Sequence, residues 1–133
     1  MKYELQHCIG SRLRRLSRVV DNYYRQCLTD FDITENQMTM LFAMNVMGKA
    51  KQGYLGEALA LERSTVSRNV RLLESKQLVL RSINYNPEIE LTKKGKELVD
   101  QLIPLWERVM DDLNEKLGEE GMVCINHVEQ KLL

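Results

Sequence analysis

Apolar positions in this chain recur mostly at helical spacing, with one short stretch alternating at the strand period. Leu5, Ile9, Leu13, Leu16, Val20, Tyr23 and Cys27 follow one another at steps of three and four, predicting a first helix over residues 3–29. The stripe is narrow and heptad-like, and Arg14, Arg15, Arg18 and Arg25 lie off it on a solvated face. A helix of about 27 residues spans roughly 40 Å. That is long for a small monomer and calls for a partner helix. The second helix is expected over 34–47, with Thr34 and Gln37 as a capping box and Ile33 with Met38 as a hydrophobic staple. Met38, Met40, Leu41, Phe42, Ala43, Met44, Val46 and Met47 leave it little polar face, so it is expected to be buried on more than one side. Its methionines suit a core, with a ligand pocket as the rarer use of such adaptable side chains. Gly48 ends this helix, and Gly53 closes a basic loop over Lys49, Ala50 and Lys51.

The next stretch, Tyr54 to Leu80, reads as two short helices and an exit into a strand. Leu55, Ala58, Leu59 and Leu61 give the first a small apolar face, and a tight turn falls at Ala60 to Arg63. Val66, Val70 and Leu73 form the buried stripe of the second. Its opposite face carries Ser64, Thr65, Ser67, Arg68 and Arg71, with Asn69 at the edge. Hydroxyls, an amide and guanidiniums near a helix start can donate to phosphate oxygens and to base edges in a major groove. The helix N-terminus adds free N–H groups and partial positive charge. This is the helix-turn-helix pattern. The bland alternative is a solvated helix face.

Two short strands follow, 78–83 and 88–91, around the turn Asn84-Tyr85-Asn86-Pro87. Thr92 then caps a helix running to about Leu117, with Lys93, Lys94 and Lys96 in its first turns. Lysines are unfavourable at a positive helix end unless something negative lies near, and a phosphate backbone would supply it. Leu98, Leu102, Leu105, Val109, Leu113 and Leu117 form the stripe of this helix, Pro104 is expected to kink it or break its ladder, and Trp106 is expected to anchor an interface. Gly118 ends it, and a last short helix over 119–132 carries Met122, Ile125, Val128 and Leu132.

The run LxxxLxLERSTVSRNVRLLExKxLV, followed by a short strand and LTKKG, resembles the MarR family of winged-helix transcription regulators. Leu55, Leu59, Leu61, Arg63, Ser64, Thr65, Val66, Ser67, Arg68, Val70, Leu73, Glu74, Leu78 and Val79 are in register with that family's usual sequence. Glu62 stands where Asp is usual and Gln77 where Gly is usual. The resemblance implies a mainly α fold: a winged helix-turn-helix over 34–96 with a short two-stranded wing, flanked by dimerisation helices over 1–33 and 97–133. It implies a cytoplasmic repressor that binds a pseudo-palindromic operator as a homodimer. It also implies a small aromatic effector between the dimer helices and the DNA-binding lobe, for which Arg14, Tyr23, Tyr24, Met38 and Phe42 are the lining candidates. DNA contacts are expected from Ser64, Thr65, Ser67, Arg68, Asn69 and Arg71, with Arg63, Arg81, Lys93 and Lys94 as lesser phosphate contacts. The wing departs from the family. It is shorter, lacks the usual Asp-x-Arg pair, and offers Asn84, Tyr85 and Asn86, while Glu88 and Glu90 would repel phosphate.

Composition changes this picture little. At 133 residues, with 44% apolar and 29% charged residues, the chain fits one globular domain. No apolar run approaches a membrane span, and the opening MKYELQHC lacks an apolar signal core, which argues against secretion. Charge changes it more. The formal net charge is zero, yet residues 63–96 carry 8 basic and 3 acidic side chains and residues 97–133 carry 3 basic and 9 acidic. Positive charge sits on the segment that would meet DNA. Other chemistry is thin. His7 and Cys8 on the first helix and Cys124 and His127 on the last allow a metal- or thiol-sensing regulator as an alternative, but the usual zinc spacings are lacking. Nothing resembles a catalytic triad or a nucleotide loop, so neither enzyme activity nor a cofactor is expected. A further alternative is a winged helix that has kept its dimer but serves as a protein-interaction module.

Overall fold

The computed structural model describes residues 1–133. A 3-10 turn at Leu5–His7 precedes α1 (Ile9–Leu28), followed by α2 (Glu35–Met47), β1 (Ala50–Lys51), α3 (Gln52–Leu59), α4 (Arg63–Ser75), β2 (Val79–Arg81), β3 (Glu88–Leu91) and α5 (Lys93–Leu132). The strands form one antiparallel sheet in the order β1-β3-β2. Val79 pairs with Leu91 and Arg81 with Ile89 across the hairpin, and Ala50 meets Ile89 on the other edge. Alternation along β3 sends Ile89 and Leu91 into the core and leaves Glu88 and Glu90 at the surface, half-buried.

Helix α2 is the hub. Thr34 accepts from the Gln37 N–H at 3.2 Å and the Gln37 side chain accepts from the Thr34 N–H at 3.1 Å, so the expected capping box is formed. Met38, Met40, Leu41 and Met44 are buried, and Phe42, Ala43 and Met47 pack against the same core. They meet Leu55 of α3, Val66, Val70 and Leu73 of α4, Ile89 of β3, and Val99 and Leu102 of α5 in one cluster. The methionines are therefore core; Met38, expected as a possible pocket wall, is 3% exposed. Truncating a buried side chain of this kind to Ala costs about 2–5 kcal/mol. At the base of α5, the chain passes so close to the α4–β2 link that a Cβ on Gly95 would overlap the Leu78 carbonyl oxygen. Thr92 fixes this approach by accepting from the Gly95 N–H at 3.0 Å while its hydroxyl donates to the Gln77 carbonyl at 2.6 Å.

Several expectations need correction. The first helix starts at Ile9, because Cys8 is extended (φ −61°, ψ 111°) and separates the 3-10 turn from α1. The wing hairpin gains a third strand, since Ala50 and Lys51 pair with β3 where a loop was expected, and Gly53 lies inside α3. β2 ends at Arg81 and not at Ile83. Ala58 is exposed, so the apolar face of α3 rests on Leu55 and Leu59. Pro104 does not break its helix. It forgoes only its own N–H bond, and the departure from helical torsions falls at Gly118 (φ 66°, ψ 179°). Trp106, half-buried, packs edge-to-face on Phe42 with centroids 5.6 Å apart. One face stays unburied: Ile9, Leu13, Leu16 and Val19 on α1, and Leu117, Val123, Ile125, Val128 and Leu132 on α5.

Gln77, just past α4, has φ 61°, in the left-handed region. There a side chain costs about 1–2 kcal/mol, and glycine escapes that cost. Gln77→Gly relieves the strain but gives back about 0.4–1 kcal/mol by loosening the unfolded chain. The net expectation is a gain of about 0.5–1 kcal/mol, read as a higher urea midpoint at unchanged slope; a lower midpoint would contradict it.

Candidate nucleic-acid interface

The turn between α3 and α4 is built by backbone geometry. Ala60 adopts the left-handed conformation (φ 52°, ψ 40°). Its N–H and that of Leu61 donate back to the carbonyls of Glu57 and Gly56 at 3.2 and 2.9 Å. Gly56 lets the helices cross closely, since a Cβ there would lie 3.1 Å from the Val66 side chain. Glu62 is the N-cap of α4 and makes no side-chain capping bond, so no side chain of its own closes off the first-turn N–H groups. With Val66, Val70 and Leu73 buried, Arg63, Ser64, Arg68 and Arg71 are exposed and Thr65 and Ser67 half-buried on the outward side. These six are brought together on one helix face. Asn69 does not join them. It is 7% exposed, its Oδ1 accepts from Gln37 Nε2 at 3.2 Å, and its Nδ2 donates to the Thr65 carbonyl at 2.9 Å. An amide so engaged is not available to a base edge.

The flanking basic groups divide. Both Nε and Nη2 of Arg81 reach Glu74 at 3.4 Å, so its charge is largely compensated on the protein. Lys93 is exposed at the start of α5, and Lys94 donates to the Lys76 carbonyl at 3.1 Å. On the wing, Glu88 is paired with Lys49 at 3.3 Å, which weakens the repulsion expected of it. Tyr85 and Ile83 are fully exposed at the tip, beside exposed Asn84 and Asn86. The tip is tightened by Ser82, whose hydroxyl donates to Asn84 Oδ1 at 2.9 Å and accepts from the Glu88 N–H at 2.8 Å. Between wing and helix-turn-helix lies an open cleft of about 890 Å³, lined among others by Arg63, Ser67, Tyr85 and Asn86. Lys51, Gln52 and Tyr54 also line it. Sequence reasoning placed Lys51 in a loop because the strand that carries it is only two residues long.

The expected effector residues are only partly gathered. Tyr24 and Phe42 join Trp106 against the core where α1, α2 and α5 meet, and the Tyr24 hydroxyl lies 3.4 Å from Met110 Sδ. Burial pushes the Tyr24 phenol up, partly offset by its hydrogen bond with Trp106. Tyr23 faces α5 at the surface, where its hydroxyl accepts from Lys116 Nζ at 2.5 Å, a bond that pushes the Lys116 ammonium up. Arg14 lies roughly 15 Å further along α1. Cys8 and Cys124 are exposed, and Cys27 is a thiol pushed up by burial, donating to the Tyr24 carbonyl at 3.0 Å. No three His, Cys, Asp or Glu side chains of the chain gather in a way that could hold a metal ion. No helix is long and apolar enough to cross a membrane.

A supported helix with a hydroxyl- and guanidinium-rich outer face, followed by a β-hairpin, is a winged helix-turn-helix arrangement. Residues 31–84 match the family model described as MarR family. The matched stretch runs from the α1–α2 link through α2, β1, α3, α4 and β2 to the wing turn, so it takes in the whole helix-turn-helix. The chain is similar to the transcriptional repressor NicR of Pseudomonas putida, 24% identical over 98% of this chain and 85% of that protein. Among solved structures it resembles BpsR of Bordetella bronchiseptica, described in work on regulation of its DNA binding by 6-hydroxynicotinic acid. That match has a TM-score of 0.88 at 23% identity, covering 98% of this chain and 96% of the other. It also resembles the MepR–DNA complex of S. aureus, with a TM-score of 0.80 at 26% identity, covering 93% of this chain and 95% of that one.

The Arg81–Glu74 pair gives this interface a specific expectation. Glu74→Gln removes the competing carboxylate and frees the guanidinium for phosphate. Binding to non-specific duplex should tighten, and its logarithmic salt slope should steepen by about one. An unchanged slope would mean that Arg81 does not reach the backbone.

Proposed function

We propose that the protein is a homodimeric repressor that binds a pseudo-palindromic operator and releases it in response to a small aromatic effector. The observation that carries this reading is the outer face of α4, where Arg63, Ser64, Thr65, Ser67, Arg68 and Arg71 stand opposite a fully buried apolar stripe. Arg68 and Arg71 are exposed on the middle turns, suited to base edges and adjacent phosphates. Ser64 and Thr65 lie in the first turn, where their hydroxyls and the helix N–H groups would seat a phosphate. Lys93 and the wing residues Asn84, Tyr85 and Asn86 would hold flanking backbone.

Dimerisation is supported by the unburied apolar face of α1 and α5. Leu16 is 61% exposed and Ile9 69%, at helical spacing along one side of α1. A second copy would cover them and set two recognition helices about 34 Å apart, one DNA turn. For the effector, the junction of α1, α2 and α5 beside Tyr24 and Phe42 offers aromatic walls between the apolar face and the DNA-binding lobe. That BpsR is regulated by 6-hydroxynicotinic acid supports an aromatic acid as the ligand class. An effector of this kind would act by favouring a lobe spacing that no longer matches successive grooves.

Binding of the purified protein to random duplexes, followed by selection of preferred sequences, tests the reading. An enriched inverted repeat and a steep fall of affinity with salt are expected. Affinity no tighter than about 10⁻⁴ to 10⁻⁶ M, with no repeat enriched in the presence or absence of candidate effectors and reductant, would refute it. Arg68→Ala should cost about 1–3 kcal/mol of operator binding and relax preference at a single base position. Leu16→Asp should yield monomers by sedimentation and abolish operator binding while leaving weak non-specific binding.

A further inference from the structure

Asn69 is a polar residue on the buried side of an otherwise apolar helix contact. Its partner, Gln37, is 4% exposed. Together they form a continuous polar chain. The Thr34 N–H donates to Gln37 Oε1, Gln37 Nε2 donates to Asn69 Oδ1, and Asn69 Nδ2 donates to the Thr65 carbonyl. It runs from the N-cap of α2, at the α1–α2 junction, to the recognition helix beside two residues of the outer face. Both side-chain amides are engaged at each end. A second link lies further along. Lys76, just past α4, pairs with the Asp32 carboxylate at 3.4 Å and donates to the Asp32 carbonyl, in the same junction.

These links do something that Val66, Val70 and Leu73 cannot. Apolar contacts are non-directional, so they fix the orientation of a helix through shape alone. Hydrogen bonds with fixed donors and acceptors are directional. Restraints at two points along α4, both off its axis and both leading to the α1–α2 junction, fix its roll and tilt. A roll of α4 moves every outward side chain together, so its effect on base reading differs from the loss of any one contact.

We infer that Asn69 is a positioning residue: through Gln37 it sets the orientation of the recognition helix and so the sequence preference of the protein, without touching DNA. The inference rests on the operator-binding reading above. The α1–α2 junction is then the place where a movement of α1 passes to the DNA-reading face.

The test uses the full chain and the sequence that the wild type selects from random duplexes. Asn69→Ala or Gln37→Ala alone leaves a buried amide unpaired and would lower stability as well. The deciding variant is therefore Gln37→Met/Asn69→Leu, which replaces both amides with apolar groups of similar shape, a change that can be nearly neutral for stability. Unfolding in urea, affinity for the selected and for a scrambled duplex, and reselection from random duplexes are measured for each variant. The double variant should fold, bind the scrambled duplex as the wild type does with the same salt slope, and lose about tenfold or more in discrimination. Its reselected sequences should be relaxed across the whole half-site, where Arg68→Ala relaxes one position. Each single variant should lose similar discrimination, with the double variant no worse than the poorer single. Full discrimination in a folded double variant would overturn the inference. So would parallel loss on both duplexes, or relaxation confined to one position, which would make Asn69 a direct contact. If the wild type selects no sequence, the operator-binding reading fails first and this inference with it.

Discussion

The rest of the structure depends on the burial of α2. Met40 and Leu41 are wholly inaccessible, and Met44 nearly so, which places neighbours on several sides of one helix. A small domain can surround a helix this way only by bringing distant parts of the chain to it. The recognition helix, the sheet and the first half of α5 all reach α2 through the same cluster. Its capping box matters for the same reason, since a frayed first turn would disturb the contacts of α4 as well as its own. The amide of Gln37 belongs both to that cap and to the link with Asn69. One side chain therefore joins the start of the hub to α4.

The interface shows a division of labour along a single helix. Apolar residues bury one side of α4, the Asn69 amide bonds within that same side, and the outward residues are left exposed or half-buried. The wing is built economically. Three short strands share one central member, and that member supplies both Ile89 to the core and Glu88 to an ion pair with Lys49. A wing this small keeps its tip close to the helix-turn-helix. The tip presents Tyr85 and two asparagines and no arginine.

Much of this was legible because it follows from periodicity. The stripe Val66, Val70, Leu73 and the Thr34–Gln37 cap are local patterns, and local patterns survive folding. The break at Gly118 was legible too, since glycine at the end of a periodic stripe takes the conformation that other residues avoid. Strand β1 was not, because two residues have no period, and its pairing with β3 joins segments almost forty residues apart. Asn69 was misassigned by type. Its position, three after Val66 and four before Leu73, places it beside the buried stripe, and that spacing outweighs the frequency with which asparagine meets bases. Trp106, expected to anchor an interface, also packs within the chain, edge-to-face on Phe42. The start of α1 was placed too early, since the apolar spacing continues through Leu5 while Cys8 breaks the backbone.

The separation of charge along the chain carries a consequence of its own. The protein is formally neutral, yet the winged segment 63–96 holds five more basic than acidic side chains, and the segment 97–133 holds six more acidic than basic. A neutral body of this kind is a large electric dipole. Far from the duplex it feels almost no pull, so it is not drawn indiscriminately onto phosphate. Within about a Debye length, roughly 8 Å at physiological salt, the field of DNA exerts a torque on it. The molecule is swung round so that the recognition helix leads and the acidic tail trails. Collisions are not made more frequent by this arrangement; a larger share of them arrive facing the right way.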